Sequence, residues 1–229
     1  SVKAMTSQLS EANHNEHSWT YPMLSQMENV LTKFLEKEGL MPQDACRSLP
    51  ATPIQEAMIV EMSASAYQHY YNHEVLRLEP HVDLARLKEA WRAVVKANPI
   101  LRTSFVEIWD PEISVSYAQI VHNEDAFDFQ SVNLAGTSVE SVIESQRRRA
   151  ASELAGRPLL SLTTAVDEDA QYLVLSISHA LYDGWSISLL HEDVAKSYAG
   201  GDCTRPSSDA ILEQILASSG DRALRFWRA

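Results

Sequence analysis

Apolar residues recur at helical spacing from Ser25 onward, at Met27, Val30, Leu31, Phe34 and Leu35, and Gly39 followed by Pro42 supplies a stop. This predicts a helix ahead of the main domain. A second helix is predicted from Pro53, a good first-turn residue behind the cap Thr52, through Ile54, Ala57, Met58 and Met62. Asn72 to Glu79 alternates around Val75, Leu76 and Leu78 and reads as a strand. Asp83 then caps a helix whose stripe is Leu84, Leu87, Trp91, Val94 and Val95, ending at Asn98-Pro99.

Thr103–Ile108 and Ile113–Val121 read as strands around the turn Asp110-Pro111, which suits antiparallel neighbours. A long helix is predicted over Ser138–Leu154, closed by Gly156 with Pro158 beyond. Leu159–Val166 and Tyr172–Ser178 are strands joined by the acidic turn Asp167-Glu168-Asp169, and a helix runs from Trp185 to Tyr198 before Gly200-Gly201. This mixture predicts an α/β fold, a two-layer sandwich in which helices cover one face of a mixed, largely antiparallel sheet. Residues 1–21 carry no periodic pattern and read as a flexible leader, 22–47 as a linker helix, 48–205 as the main lobe and 206–229 as a helical passage.

Composition narrows the function classes. No apolar run approaches the roughly 20 residues of a membrane helix. The first twenty residues lack the basic start and apolar middle of a secretory signal, so a cytoplasmic location is expected. A net charge of −12 repels nucleic-acid phosphates and anionic membrane surfaces. The basic run Arg147-Arg148-Arg149 reads as the solvated face of a helix. Cys46 and Cys203 have neither CxxC spacing nor a histidine cluster, which excludes a disulfide framework and a zinc site and leaves two reduced bystanders. His69 and His73 are four apart without an HExxH arrangement and are not expected to form a metal pair, and His191 reads as a surface residue.

Chemistry concentrates where an apolar strand passes through Ser178-His179-Ala180-Leu181-Tyr182-Asp183-Gly184-Trp185 into a helix. A neutral imidazole at His179 can accept a proton, since an unperturbed histidine titrates near 6.5. Asp183 can accept backbone N–H bonds at the helix start or pair with an arginine, and Gly184 permits an unusual backbone angle. By spacing alone, a lone histidine after a strand is more often a satisfied structural group than a catalyst. Ser178 beside His179 also invites a hydrolase reading, but the neighbours do not form the Gly-flanked elbow of GxSxG, and adjacent strand residues face opposite ways.

The stretch Ser178 to Gly184 resembles the HHxxxDG signature of nonribosomal peptide synthetase condensation domains, with Ser in the first histidine position and His179 in the second, catalytic one. Thr52-Pro53-Ile54-Gln55-Glu56-Ala57-Met58 resembles that family's opening motif, Leu101-Arg102-Thr103-Ser104-Phe105 its LRTxF element, and Asp183-Gly184-Trp185-Ser186 completes the core signature. The resemblance covers roughly residues 48–229 and implies a chloramphenicol-acetyltransferase-like lobe, the N-terminal of two, with the active site in a tunnel between them. Leu224 to Ala229 then looks like the start of the passage to the second lobe. Residues 1–50 contain no DS dipeptide for attaching phosphopantetheine, so the helix near 25–38 reads as a linker from an upstream carrier domain.

The resemblance implies an amine attacking a thioester carried on the phosphopantetheine arm of a carrier (thiolation) domain, with no cofactor bound directly and no metal. Its partners are that carrier, an aminoacyl or peptidyl thioester, and the second lobe. His179 is then the base or the group that positions the amine. Arg102 is the expected partner of Asp183, with an exposed arginine at a strand start as the alternative. Ser178 supports the loop. Fungal terminal condensation-like domains carry SHxxxD followed by fourteen residues and Tyr; here fourteen residues separate Asp183 from Tyr198, which with Trp185 is a candidate for the substrate channel. That subtype implies macrocyclisation, and Ser-containing sites also occur in fungal siderophore synthetases. A CoA-dependent HxxxDG acyltransferase and a non-catalytic carrier-docking lobe remain as alternatives.

Overall fold

The computed structural model describes residues 21–126, 129–152 and 156–218. The leader up to Thr20, Leu154 at the end of the expected long helix, and Leu224 to Ala229 lie outside these. The elements in order are α1 (Pro22–Lys37), β1 (Ala45–Pro50), α2 (Pro53–Ala64), β2 (Tyr71–Leu78), α3 (Leu84–Ala97), β3 (Thr103–Glu107), β4 (Tyr117–His122), β5 (Phe129–Asn133), α4 (Val139–Ser152), β6 (Leu160–Val166), β7 (Gln171–Ser178), α5 (Ser186–Tyr198) and α6 (Asp209–Ser218).

The strands form two sheets, β1-β4-β3 and β2-β7-β6-β5, and β5–β6 is the one parallel pair among the described residues. The mixed, largely antiparallel α/β class therefore holds. The hairpin predicted around Asp110-Pro111 is present, with Thr103 opposite Val121 and Glu107 opposite Tyr117. Two strands have no sequence signature. β1 carries Arg47 and Pro50 and buries only its last three residues, and β5 offers only Phe129 and Val132 at the sheet edge. Both are held by their neighbours rather than by an alternating pattern of their own.

On β7, Leu173, Leu175 and Ile177 face one side and pack with Trp91 and Val94 of α3 and Leu190 and Val194 of α5. Val174, pointing the other way, packs with Val142 of α4. Helices thus cover both faces of the four-stranded sheet, where the pattern predicted cover on one. α1 buries Leu31, Phe34 and Leu35 against Val106, Ala118 and Ile120 of the three-stranded sheet. The helix expected ahead of the domain is thus packed against a sheet, and the boundary expected after residue 47 falls inside β1. Arg47 binds Glu28 of α1 and Asp209 of α6, and Glu213 of α6 accepts the N–H groups of Met23 and Leu24, capping α1 from a distant helix.

A polar chain runs under α4. Arg147 donates to Nε2 of His73 at 3.2 Å, His73 Nδ1–H donates to Ser176 Oγ at 2.5 Å, Ser176 donates to Gln146 Oε1, and Gln146 Nε2 donates to Thr163 Oγ1 at 2.9 Å. Arg147 is therefore not part of a solvated basic face, because its guanidinium turns inward to meet a half-buried acceptor. Each partner in the chain has the donor or acceptor its neighbour requires only while His73 is neutral.

Burial first, and then the Arg147 charge, push the His73 imidazole down to about 4, from an ordinary value near 6.5. His73 takes up a proton more readily unfolded than folded. Its contribution to stability is whole above about pH 6.5 and is lost as pH falls toward about 4. Urea denaturation across that range is expected to show unfolding free energy dropping with acid in the wild type, and a flatter dependence in His73→Gln.

Candidate active site

The end of β7 is held from both sides. Ser178 N–H donates to Leu159 O at 3.0 Å, and the next amide, that of His179, donates to Tyr70 O at 2.7 Å. The chain then makes a single 3-10 turn, His179–Leu181, capped by the Ser178 hydroxyl, which accepts from Ala180 N at 3.3 Å. Ser178 is fully buried and spends its oxygen on this cap, which leaves no hydrolytic role for it. The loop that supplies Tyr70 is strained. Ala66, Tyr67 and Tyr70 have φ of +51°, +63° and +58°, a region side chains seldom occupy.

His179 is half-buried. Its Nδ1 lies 2.9 Å from the carbonyl oxygen of Tyr182. A carbonyl can only accept, so Nδ1 carries the hydrogen, and in the neutral ring Nε2 keeps its lone pair. The imidazole stacks on the Tyr182 ring, with centroids 4.7 Å apart and planes 11° from parallel, and meets the Tyr70 ring edge-on at 6.1 Å. His179 lines two adjoining hollows of about 720 and 670 Å³, which also share Ile54 and Met58 of α2. The second is walled by Leu49 and Val121 of the first sheet, Arg102 and Thr103 at the start of β3, and Ile211 of α6.

Asp183 is exposed and architectural. Its Oδ1 accepts from Ser186 N at 2.7 Å and Trp185 N at 3.1 Å, while its own N–H donates to Ser186 Oγ at 2.8 Å. This reciprocal cap starts α5 without help from an arginine. The hydrogen bonds from Ser186, and then that from Trp185, hold the Asp183 carboxyl below its ordinary range.

Other expected site residues stand elsewhere. Arg102 does not pair with Asp183: its Nη1 donates to the carbonyl oxygen of His122 and lies 3.5 Å from Cys46 Sγ. The exposed carboxylate is satisfied by local amides, so nothing draws the guanidinium to it. Gly184 does not adopt a left-handed backbone, and a Cβ there would meet nothing within 4 Å. Trp185 is 78% exposed at the start of α5 and lines neither hollow, and Tyr198 accepts from Asp83 N at 3.0 Å with the Arg86 guanidinium 4.8 Å above its ring. The fourteen-residue spacing to Tyr198 thus leads to a packing contact with α3. His69 and His191 pair with Glu61 and Glu74, each at 2.8 Å.

Gln55, Tyr182 and Asn72 carry site contacts that the sequence reading did not assign. Gln55 closes a capping box with Thr52 and donates from Nε2 to Ala180 O at 3.0 Å, tying α2 to the histidine turn. The Thr52-x-x-Gln55 spacing is the signal for the box. A second chain, Asp44–His122–Ser104, has Nδ1 of His122 3.1 Å from the carboxylate and Nε2 2.7 Å from the hydroxyl. Ser104 and His122 are completely buried, so no substrate reaches them. Among the described residues no cluster of His, Cys, Asp or Glu is arranged to hold a metal, and no helix is long and apolar enough to cross a membrane.

A family model for the condensation domain matches residues 46–214, which include both walls of the second hollow and the histidine turn. The chain belongs to the condensation domain family. It is 43% identical over 206 residues, 90% of its length, to nonribosomal peptide synthetase sidC of Arthroderma benhamiae, and 44% identical over 200 residues, 86% of its length, to nonribosomal peptide synthetase 2 of Cochliobolus heterostrophus. It spans only 4% of the length of either. The condensation fold is also shared with the epimerization domain from the third module of tyrocidine synthetase B, at 20% identity and a TM-score of 0.59, covering 81% of this chain and 44% of that one. The condensation domain of Monacolin K polyketide synthase MokA gives 19%, 0.60, 81% and 43%.

The Asp183 cap generates a specific expectation. Asp183→Ala should cost about 1 kcal/mol of unfolding free energy near neutral pH. Because the folded carboxyl titrates below its unfolded value, the difference between wild type and variant should persist above about pH 4 and shrink as pH falls below it. Paired urea titrations at several pH values measure this.

Proposed function

We propose that this chain supplies the histidine-bearing lobe of a condensation-type acyltransferase in nonribosomal peptide synthesis, with His179 as general base. The observation that carries this reading is the fixed tautomer of His179, whose Nδ1–H is committed to Tyr182 O so that Nε2 is the accepting nitrogen. The substrates are an amine and an aminoacyl or peptidyl thioester on the phosphopantetheine arm of a carrier domain, and a second lobe closes the site. The amine nitrogen attacks the thioester carbon as its proton passes to Nε2. The tetrahedral intermediate collapses with cleavage of the C–S bond, an amide forms, and the arm's sulfur leaves as a thiol after taking a proton back from the imidazolium.

The role of the base is set by the turn. Ser178 and Gln55 hold the N–H and the carbonyl of Ala180 inside it, and Asp183 fixes where α5 begins, so that the imidazole is presented by backbone anchoring on a half-buried surface. A ring-closing, chain-releasing role is the finer reading, for a product that is a cyclic peptide or siderophore. Ser178 in the first position of the signature and the fourteen-residue spacing from Asp183 to Tyr198 support it, although Tyr198 itself packs on α3 and lines neither hollow.

The test joins this chain to its second lobe and supplies a peptidyl thioester on its carrier, with cyclic, linear and hydrolysed products followed by mass spectrometry. His179→Ala is expected to lower product formation about 10²- to 10⁴-fold. Product formation unchanged in His179→Ala would overturn the base and favour a carrier-docking lobe. Linear amide as the sole product would overturn ring closure alone.

A further inference from the structure

We propose that Asn72 is a positioning residue for the condensation histidine, acting through Tyr182; the inference rests on His179 being the base. Asn72 lies on β2, where its backbone is opposite Ile177 of β7. Its side chain reaches past the end of that ladder, and Nδ2 donates to the Tyr182 hydroxyl at 2.6 Å, across 110 residues of sequence. Tyr182 in turn touches the imidazole twice. Its ring lies parallel to the His179 ring, and its carbonyl oxygen accepts the Nδ1 hydrogen.

These two contacts need different things of Tyr182. The carbonyl is fixed by an extended backbone, φ −151° and ψ 167°. The ring packs at the edge of the main core, and its tilt about the side-chain bonds is further set by whatever holds its far end. The amide of Asn72 holds that end. Its NH₂ group only donates, so the phenol oxygen accepts and its own hydrogen stays available. The ring is thereby pinned in the plane that supports the imidazole face. The same clamp suits both protonation states, because Nδ1–H donates to the carbonyl in the neutral and the charged ring, and an aromatic face attracts the cation. The base therefore takes up and returns a proton without changing the plane in which Nε2 lies.

The Tyr70 ring does not duplicate this support, since it meets the imidazole edge-on and from farther away. Gln55 does not either, since it anchors the Ala180 peptide and not the ring. Asn72 and Tyr182 also lie on different hollows, Asn72 on the first and Tyr182 on the second, with His179 on both. The tie between them crosses from one to the other.

The experiment is ¹⁵N NMR of the imidazole nitrogens in the histidine-labelled chain, at about pH 8 where an ordinary imidazole is neutral. The signals of His179, one of eight histidines, are assigned by their loss in His179→Gln. The wild type is expected to show the Nδ1–H tautomer. Tyr182→Phe, which keeps the ring and the carbonyl, and Asn72→Leu should each shift the ratio about five-fold from Nδ1–H toward Nε2–H, because an imidazole no longer held in its plane is misaligned with the carbonyl and forfeits about one net hydrogen bond. The double variant should change it no more than either single one. A ratio unmoved by Tyr182→Phe overturns the proposal, and so do effects that add in the double variant, since Asn72 would then not act through Tyr182. Tyr182→Phe decides the matter even where Asn72→Leu fails to fold. Neither result depends on turnover: tautomer shifts with product formation unchanged in His179→Ala would sink the base and leave the clamp, and an unmoved ratio with turnover lost would do the reverse.

Discussion

The architecture turns on the backbone of Leu159. Its N–H donates to Thr103 O at the start of β3, and its carbonyl accepts from Ser178 N at the end of β7, so one buried residue is hydrogen-bonded to both sheets. A peptide group left unpaired at that depth costs about 1–3 kcal/mol, so the junction resists slipping. The next residue after Ser178 is His179, whose own amide is held by Tyr70. The position of the imidazole is therefore referenced to both sheets at once, and the groove beside it runs between the three-stranded sheet and the turn that follows β7.

Most of this was legible in the chain. Trp91, Val94 and Val95 recur at helical spacing and become the buried face of α3; Asp83 caps it as the pattern implies. Leu173, Leu175 and Ile177 mark β7 because every second residue meets α3 or α5. β1 and β5 were not legible because their stability comes from β4 and β6 rather than from their own side chains. The division into two sheets was hidden for a related reason: it depends on where β strands stop pairing, which is set by long-range contacts such as the one at Leu159.

At the site, His179 stands at a turn and Asp183 just before a helix, and of the two kinds of partner open to Asp183 it takes backbone amides. The local amides of Trp185 and Ser186 satisfy the carboxylate, so Arg102 is free to reach His122 O. Tyr182 and Asn72 escaped notice because nothing in their spacing links residues 110 apart. A capping box is written in neighbouring letters, whereas a tie across a sheet is written only in the register of β2 on β7.

The chain Asp44–His122–Ser104 gives a different lesson about reactivity. Its three side chains have the order and hydrogen-bonding of a nucleophile, a base and an orienting acid, yet they fasten the segment before β1 to β3 and β4. What separates the two histidines is access and not composition. His179, held by backbone atoms, is half open to two hollows, whereas His122, sealed between strands, spends the same hydrogen-bonding capacity on cohesion.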